Sequence, residues 1–452
     1  MTTPAVEGEE RVAPLPAMQM LRQILAYRPE RMGRAQRAIG PAELLPEWLA
    51  LARETGVAVP PELLPEMLAF GEQYVDMRDV VAAAVGELGQ WLAAMNPPWA
   101  YAAAPPADPA AAWAAGTTEV RLRILRHLRR TYPAAGLALL RSTWATATSD
   151  DRVAFLETLE TGLSLDDEPF LEFVLDEPIV EPAPDDDRVI ICGWPEPKEV
   201  RPTAVNLLST LPGSRLVTRM FARLAPLLAL REPPGERARI DLQLPAAKDD
   251  KELRRYSIAP WWVPERTMSM YDMLQVVPPS LWAAHWGRSY PDLLQAARDI
   301  GDDLVIDAWT ASAIRVRDAK FAEARLRMPG GKGPSAGTPT VAKVIHPDRL
   351  EPLVLERVAT HGLNTAAGLL FGARFPWSPV LTRAVLEEFP DNLPWAVRDP
   401  AEHKPEGLVA LFGAPYMHPA TAVAVLRERG DPYEGEWVDL LHLRHTLHQA
   451  FE

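Results

Sequence analysis

Three histidines, His442, His445 and His448, fall at spacings of three near the end of this 452-residue chain, with Glu436 and Asp439 just upstream. On a helix, residues three apart share a face, so Asp439, His442 and His445 present one oxygen and two imidazoles at metal-ligand spacing. Zinc normally takes a third or fourth protein ligand, and no HExxH or related motif supplies one; a surface or packing role outweighs a metal site. His346, His361 and His418 would join only through tertiary contact. The run Gly330-Gly331-Lys332-Gly333-Pro334-Ser335 is the nearest approach to a phosphate loop. Such a loop places Ser or Thr directly after the lysine, between a hydrophobic strand and a helix. Here Gly333 follows Lys332 and a charged helix precedes, so a linker is expected. Cys192 has no evident base near it, which argues against a catalytic nucleophile. No Ser-His-Asp or paired-carboxylate arrangement follows from spacing, and no cofactor motif stands in the sequence.

Other residue groups suggest surfaces. Arg123, Arg126, His127 and Arg130 form a basic stripe opposite an apolar helical face. It reads as a solvated face, as a contact for an acidic protein partner, or as a phosphate-binding face. The net charge of −14 opposes nucleic acid and anionic membrane as general partners. Trp261, Trp262, Trp282 and Trp286 are dense enough to line a pocket or anchor a partner, although large aromatics more often fill space between short helices. Glu168, Glu199 and Arg201 lie at expected helix starts. They read either as partner contacts or as a salt bridge between repeats.

The elements that carry these residues are amphipathic helices. Apolar positions recur at helical spacing in Val120/Ile124/Leu125/Leu128, Val153/Leu156/Leu159/Leu163, Val200/Ala204/Leu207/Leu208/Leu211 and Leu216/Met220/Leu224/Leu227. Residues 77–95 give a further stripe, ended by Asn96-Pro97-Pro98. Forty-six prolines are about twice the usual share. Many stand where a helix would start: Pro41, Pro61, Pro133, Pro169, Pro202, Pro291 and Pro347. Thr117 or Thr118, Ser149, and Asp166 or Asp167 are the expected helix caps. Helix starts about 34 residues apart fall in the range of helical-hairpin repeats. Residues 240–244 alternate as a strand does, and 189–192 could form another.

These features predict a mainly α protein, an α-solenoid-like stack of helical hairpins with minor strand content. The expected organisation is a tail at 1–15, a helical region at 16–116 and hairpin repeats at 117–230 with an acidic insertion at 177–196. An irregular connector at 231–267, helices at 268–328, a loop at 329–340 and a C-terminal helical region at 341–452 follow. One cysteine excludes an internal disulfide and suits a reducing compartment. The polar, acidic N-terminus is unlike a signal peptide, and no apolar run reaches the roughly 20 residues of a membrane span. A cytoplasmic location is expected, and the oligomeric state stays open.

Several short runs also resemble one bacterial family of unknown function with HEAT-like helical repeats. They are Gly89-Gln90-Trp91-Leu92-Ala93-Ala94-Met95-Asn96-Pro97-Pro98-Trp99, Asp167-Glu168-Pro169-Phe170-Leu171-Glu172, Lys198-Glu199-Val200-Arg201 with Leu211-Pro212-Gly213-Ser214, Val277-Pro278-Pro279-Ser280-Leu281-Trp282, and Pro376-Trp377-Ser378-Pro379-Val380-Leu381. The resemblance implies genes placed beside MoxR-type AAA ATPases, von Willebrand A-domain proteins and SWIM zinc-finger proteins, and hence a part in a multi-protein ATPase system. The expected function is a non-enzymatic adaptor or scaffold binding an AAA ATPase or A-domain partner through Arg123, Arg126, Arg130, Glu168, Glu199 and Arg201. The alternatives are an enzyme or small-ligand binder using residues 261–286 or a metal at the C-terminal histidines, and a nucleic-acid binder.

Overall fold

The computed structural model describes residues 13–26, 44–176, 200–235, 237–243, 265–298, 304–328, 338–390, 409–410, 412–430, 433 and 435–452. Among them the chain is mainly helical, with one two-stranded sheet. It divides into two compact units, one made of residues 1–104 with 331–452 and the other of residues 105–330. No described helix is long and apolar enough to cross a membrane.

The first unit starts with α1 (Leu15–Ala26), α2 (Leu45–Glu54), α3 (Leu64–Gln73), α4 (Arg78–Ala84) and α5 (Gly86–Met95). Trp48 is fully buried and donates its indole N–H to the Ala17 carbonyl at 2.8 Å, joining α2 to α1. The stripe at 77–95 is two helices rather than one. Gly86 takes φ +60°, a left-handed conformation open to glycine, and breaks the run there.

The second unit opens with α6 (Pro109–Ala115) and then three helical hairpins. They are α7 (Thr118–Thr131) with α8 (Pro133–Thr143), α9 (Ser149–Thr158) with α10 (Glu168–Asp176), and α11 (Val200–Ser209) with α12 (Arg215–Leu224). Helix α7 packs on α9, and α9 on α11, forming one layer. The second layer is α8, α10 and α12, joined by Arg141 over the Phe170 ring and by ion pairs from α10 to α12. Neighbours within a layer run parallel. Thr118 bonds Asp151 at the start of α7 and α9, and Arg129 reaches Leu159 and Thr161 at their ends. This is the α-solenoid-like arrangement that the periodicity predicts.

The stack contains a repeated constellation. Arg121 donates Nε to the Trp113 carbonyl at 3.0 Å and lies over that indole; Arg152 does the same to Trp144, also at 3.0 Å. A threonine precedes each following helix. Thr148, not Ser149, caps α9 by accepting from the Asp151 N–H, while Thr117 holds the N-cap position of α7 without a side-chain bond. Asp167, just before α10, gives its carboxylate to Arg129 and the Ser164 N–H, while its carbonyl accepts from the Phe170 and Leu171 N–H groups.

After α12 the chain turns into β1 (Leu228–Arg231), antiparallel to β2 (Arg239–Leu242) with Leu230 opposite Ile240. The alternation at 240–242 is therefore a strand. Helices α13 (Glu265–Val276), α14 (Pro279–Trp286), α15 (Tyr290–Ala296), α16 (Leu304–Arg315) and α17 (Ala319–Arg327) complete the unit. One apolar cluster runs through it from Trp113 to Phe321.

The first unit resumes with α18 (Thr338–Ala342), α19 (Pro347–Gly372), α20 (Pro379–Glu387), α21 (Pro419–Glu428) and α22 (Glu436–Gln449). Gly362, at φ +75°, is non-helical, so α19 is two helices meeting at a kink; the first agrees with the helix expected over 347–360, and the second runs on to Gly372. Prolines open α6, α8, α14, α19, α20 and α21, where a missing N–H leaves no bond unmade. The acidic run 185–187, the strand expected at 189–192 and residues 1–12 of the tail expected at 1–15 lie outside the described residues, while Ala13 is buried and Leu15 already opens α1.

Candidate functional site

The strongest polar centre in the hairpin stack is Arg129, 1% exposed at the C-terminal end of α7. Its two Nη atoms hold the Asp167 carboxylate at 2.9 and 2.8 Å. Nε donates to Thr161 O at 2.9 Å, and the Nη groups also reach Pro133 O at 3.2 Å and Gly162 O at 2.8 Å. All five guanidinium donors are thereby satisfied, the condition under which a buried charge is tolerated. Asp167 also accepts from the Ser164 N–H at 3.0 Å. The pair pins the turn between α7 and α8 to the loop between α9 and α10. Three further arginines cap helix or turn ends in the same manner. Arg315 donates to Gln275 O at the end of α13, Arg429 to Leu386 O and Phe389 O after α20, and Arg444 to Ala414 O and Met417 O. Burial pulls the Arg315 guanidinium down to about 10. A cation at a helix C-terminus meets both the carbonyls left unpaired there and the negative end of the dipole.

Sequence reasoning missed Arg129 although it named Leu128 in the apolar stripe and Arg130 in the basic one. The signal was its place four residues after Leu125, at the edge of the apolar face and not on the opposite one. The stripe itself is uneven. Arg126 and Arg130 are exposed, Arg130 donating back to Arg126 O at 3.1 Å, whereas Arg123 and His127 are half-buried.

Glu168 belongs to a ladder between α10 and α12. It accepts from the Arg215 backbone N–H and faces Arg215 Nε at 3.6 Å. One turn on, Glu172 takes Arg219 Nη2 on both oxygens, at 3.0 and 2.9 Å. Both rungs join residues 47 apart, so two rows at i, i+4 spacing lie in register along parallel helices. The repeat-to-repeat bridge considered for Glu168 is thus made with Arg215, and Arg201 is half-buried in the first turn of α11. Glu199 lies outside the described residues. An open cleft of about 410 Å³ lies over this ladder, lined by Pro169, Glu172, Phe173, Asp176, Arg215 and Arg219. The Phe173 ring is 52% exposed and stacks on buried Phe170, centroids 6.3 Å apart.

Trp282 and Trp309 are fully buried and form an aromatic cluster with Phe221, His285 and Trp286. Trp261 and Trp262 lie outside the described residues, as do Cys192 and the glycine-rich run 330–335.

In the first unit, His448 Nε2 lies 2.8 Å from Glu47 Oε1, and Arg444 holds both Glu47 oxygens at 2.7 and 2.8 Å. Burial raises the Glu47 carboxyl, but the bonds from His448 and Arg444 outweigh it and hold it below its ordinary value. His442 and His445 are half-buried on the same helix. Among the described residues no three His, Cys, Asp or Glu side chains are placed to hold a metal ion. His418 caps α21, its Nδ1 accepting from the Thr421 N–H. Burial, then the nearby charges of His448 and Arg444, lower its pKa.

Comparison with known proteins supports the resemblance read from the sequence as far as a family of unknown function. The family of unknown function DUF5691 matches residues 1–451, and the chain belongs to that family. No curated protein and no solved structure matches it.

Proposed function

We propose that this chain is a non-enzymatic adaptor that holds protein partners on the hairpin stack of residues 118–224. The carrying observation is the division of polar groups in that stack. Arg129, Asp167, Glu168 and Glu172 are turned inward on partners within the fold, while Phe173 stands half-exposed in an open cleft beside them. An aromatic that the fold holds outward is the kind of residue that anchors a protein interface. Stacked helical hairpins also offer an extended surface of this type. The partners suggested by the resemblance are a MoxR-type AAA ATPase and a von Willebrand A-domain protein, in the cytoplasm. Affinity purification of the full chain from its native host tests the reading. Recovery of either partner in stoichiometric amount is the expected result, and recovery of the chain alone overturns it.

A second reading is a small-ligand binder at the aromatic cluster. Among the described residues, the indole N–H groups of Trp282 and Trp309 and the hydroxyl of Ser312 are buried without a hydrogen-bond partner. Such unmet donors are costly and would be satisfied by a small polar molecule. Mass spectrometry of the purified protein, native and then denatured, would release a bound compound. Its absence removes this reading.

A further inference from the structure

We propose that the outer face of α10 and α12 is a docking groove for an acidic peptide segment carrying an apolar anchor. This rests on the adaptor reading and assigns that function a surface and a partner chemistry. The groove has an apolar centre, Pro169 with the half-exposed Phe173 ring, and its walls carry charge unevenly. In the first rung of the ladder, Arg215 keeps 61% of its side chain exposed while Glu168 keeps 14%. In the second, Arg219 keeps 36% and Glu172 12%. The carboxylates are tucked beneath and the guanidiniums project, so the solvent meets mainly the cationic side of each pair. Arg141, exposed on α8, adds a third guanidinium over the Phe170 ring on which Phe173 stacks. Asp176, exposed at the end of α10, is the opposing charge and disfavours acid at that end only.

Two partly exposed arginines, Arg215 and Arg219, beside an aromatic centre match carboxylates flanking an aliphatic or aromatic side chain. Guanidinium groups take carboxylates in paired hydrogen bonds, and Phe173 supplies the contact that excludes water around them. The stripe at Arg126 and Arg130 lies in the other layer, where Arg130 bonds its own helix and the exposed aromatic, Tyr132, stands past the helix end at the C-cap of α7. The docking face is therefore the α8–α10–α12 layer.

The test uses the full chain and three labelled 12-residue peptides read by fluorescence anisotropy at low and near-physiological salt. One peptide is rich in Glu with two Leu, the second has Lys for every Glu, and the third has Ser for both Leu. The first should bind, with affinity falling as salt rises. Phe173→Ser, and Arg141→Gln combined with Arg215→Gln, should each weaken it by about ten-fold, with the fold retained by circular dichroism. Arg126→Gln with Arg130→Gln should leave it unaffected. Equal binding of the Lys peptide, or unchanged binding to Phe173→Ser, overturns the proposal. So does self-association of the wild type that Phe173→Ser abolishes in sedimentation velocity, because the face would then cover a second copy. A native partner recovered equally by wild type and Phe173→Ser overturns this groove while leaving the adaptor reading standing.

Discussion

Removing one member of the Arg129–Asp167 pair should be among the most damaging single changes in the hairpin stack. Asp167→Asn keeps the shape and one acceptor oxygen but leaves the guanidinium, 0% exposed, without its counter-charge. Breaking a buried pair in this way costs about 3–5 kcal/mol. For a unit of this size each kcal/mol moves the melting temperature by roughly 2–4 °C, so a fall of roughly 6–20 °C is expected. Arg129→Met should cost as much, since it strands a carboxylate 3% exposed and releases the carbonyls of Pro133, Thr161 and Gly162. The double variant Arg129→Met with Asp167→Leu removes both charges at once. It loses the three carbonyl bonds and the Ser164 N–H bond to Asp167, about 1 kcal/mol each, but strands no charge, so its cost should fall well short of the sum of the two single changes. Calorimetry or circular dichroism on the four proteins gives the cycle. Additive single effects, or Asp167→Asn melting within roughly 2 °C of wild type, would refute the pairing argument.

Two further outcomes follow from local geometry. Gly162 sits at φ +65° with the Arg129 carbonyl 2.8 Å from where a Cβ would stand, whereas Gly287 has φ +62° and open space. Urea unfolding should show Gly162→Ala costing about 2 kcal/mol or more and Gly287→Ala about 1, because only the first adds a clash to the left-handed strain; equal losses would contradict this. His418 has a depressed pKa, so the unfolded chain binds more protons just below the ordinary value of 6.5, and stability must fall as pH drops through that value. Asn is a good N-cap without a charge, so His418→Asn should preserve stability at pH 7.5 and flatten its decline toward pH 5. An unchanged slope in urea midpoints against pH would show that His418 is not the titrating group.

Much of the helical framework was legible because its causes are local. The stripes of α7 to α12 and the prolines at helix starts, Pro133 and Pro347 among them, follow from spacing and from a missing N–H. The strand at 239–242 was visible in its alternation, but β1 was not: Leu227 and Leu230 continue the spacing of α12, and only pairing with β2 extends them. The break at Gly86 was hidden because glycine is also tolerated within helices. What escaped altogether depends on tertiary neighbours. The rungs Glu168–Arg215 and Glu172–Arg219 require α10 beside α12, and Glu47 meets Arg444 across 397 positions. No local pattern carries separations of that size.

Arg129 and Arg130 show why charge in a helical stack is a poor guide to function until burial is known. They are adjacent and chemically identical, yet about 100° apart around the helix. One is enclosed and spends every donor on the fold; the other is exposed and bonds its own helix at Arg126. The same division separates the carboxylates of α10 from the arginines of α12, where the acid is covered and the base projects. Arginine suits both positions because its aliphatic stem packs against the stack while five donors can span two loops. Among the exposed or part-exposed arginines of the hairpins, Arg215 and Arg219 line a cleft with the exposed Phe173 ring, and Arg141 lies over the buried Phe170 ring on which Phe173 stacks. That combination directs recognition to the α8–α10–α12 layer, away from the more obvious basic stripe of α7.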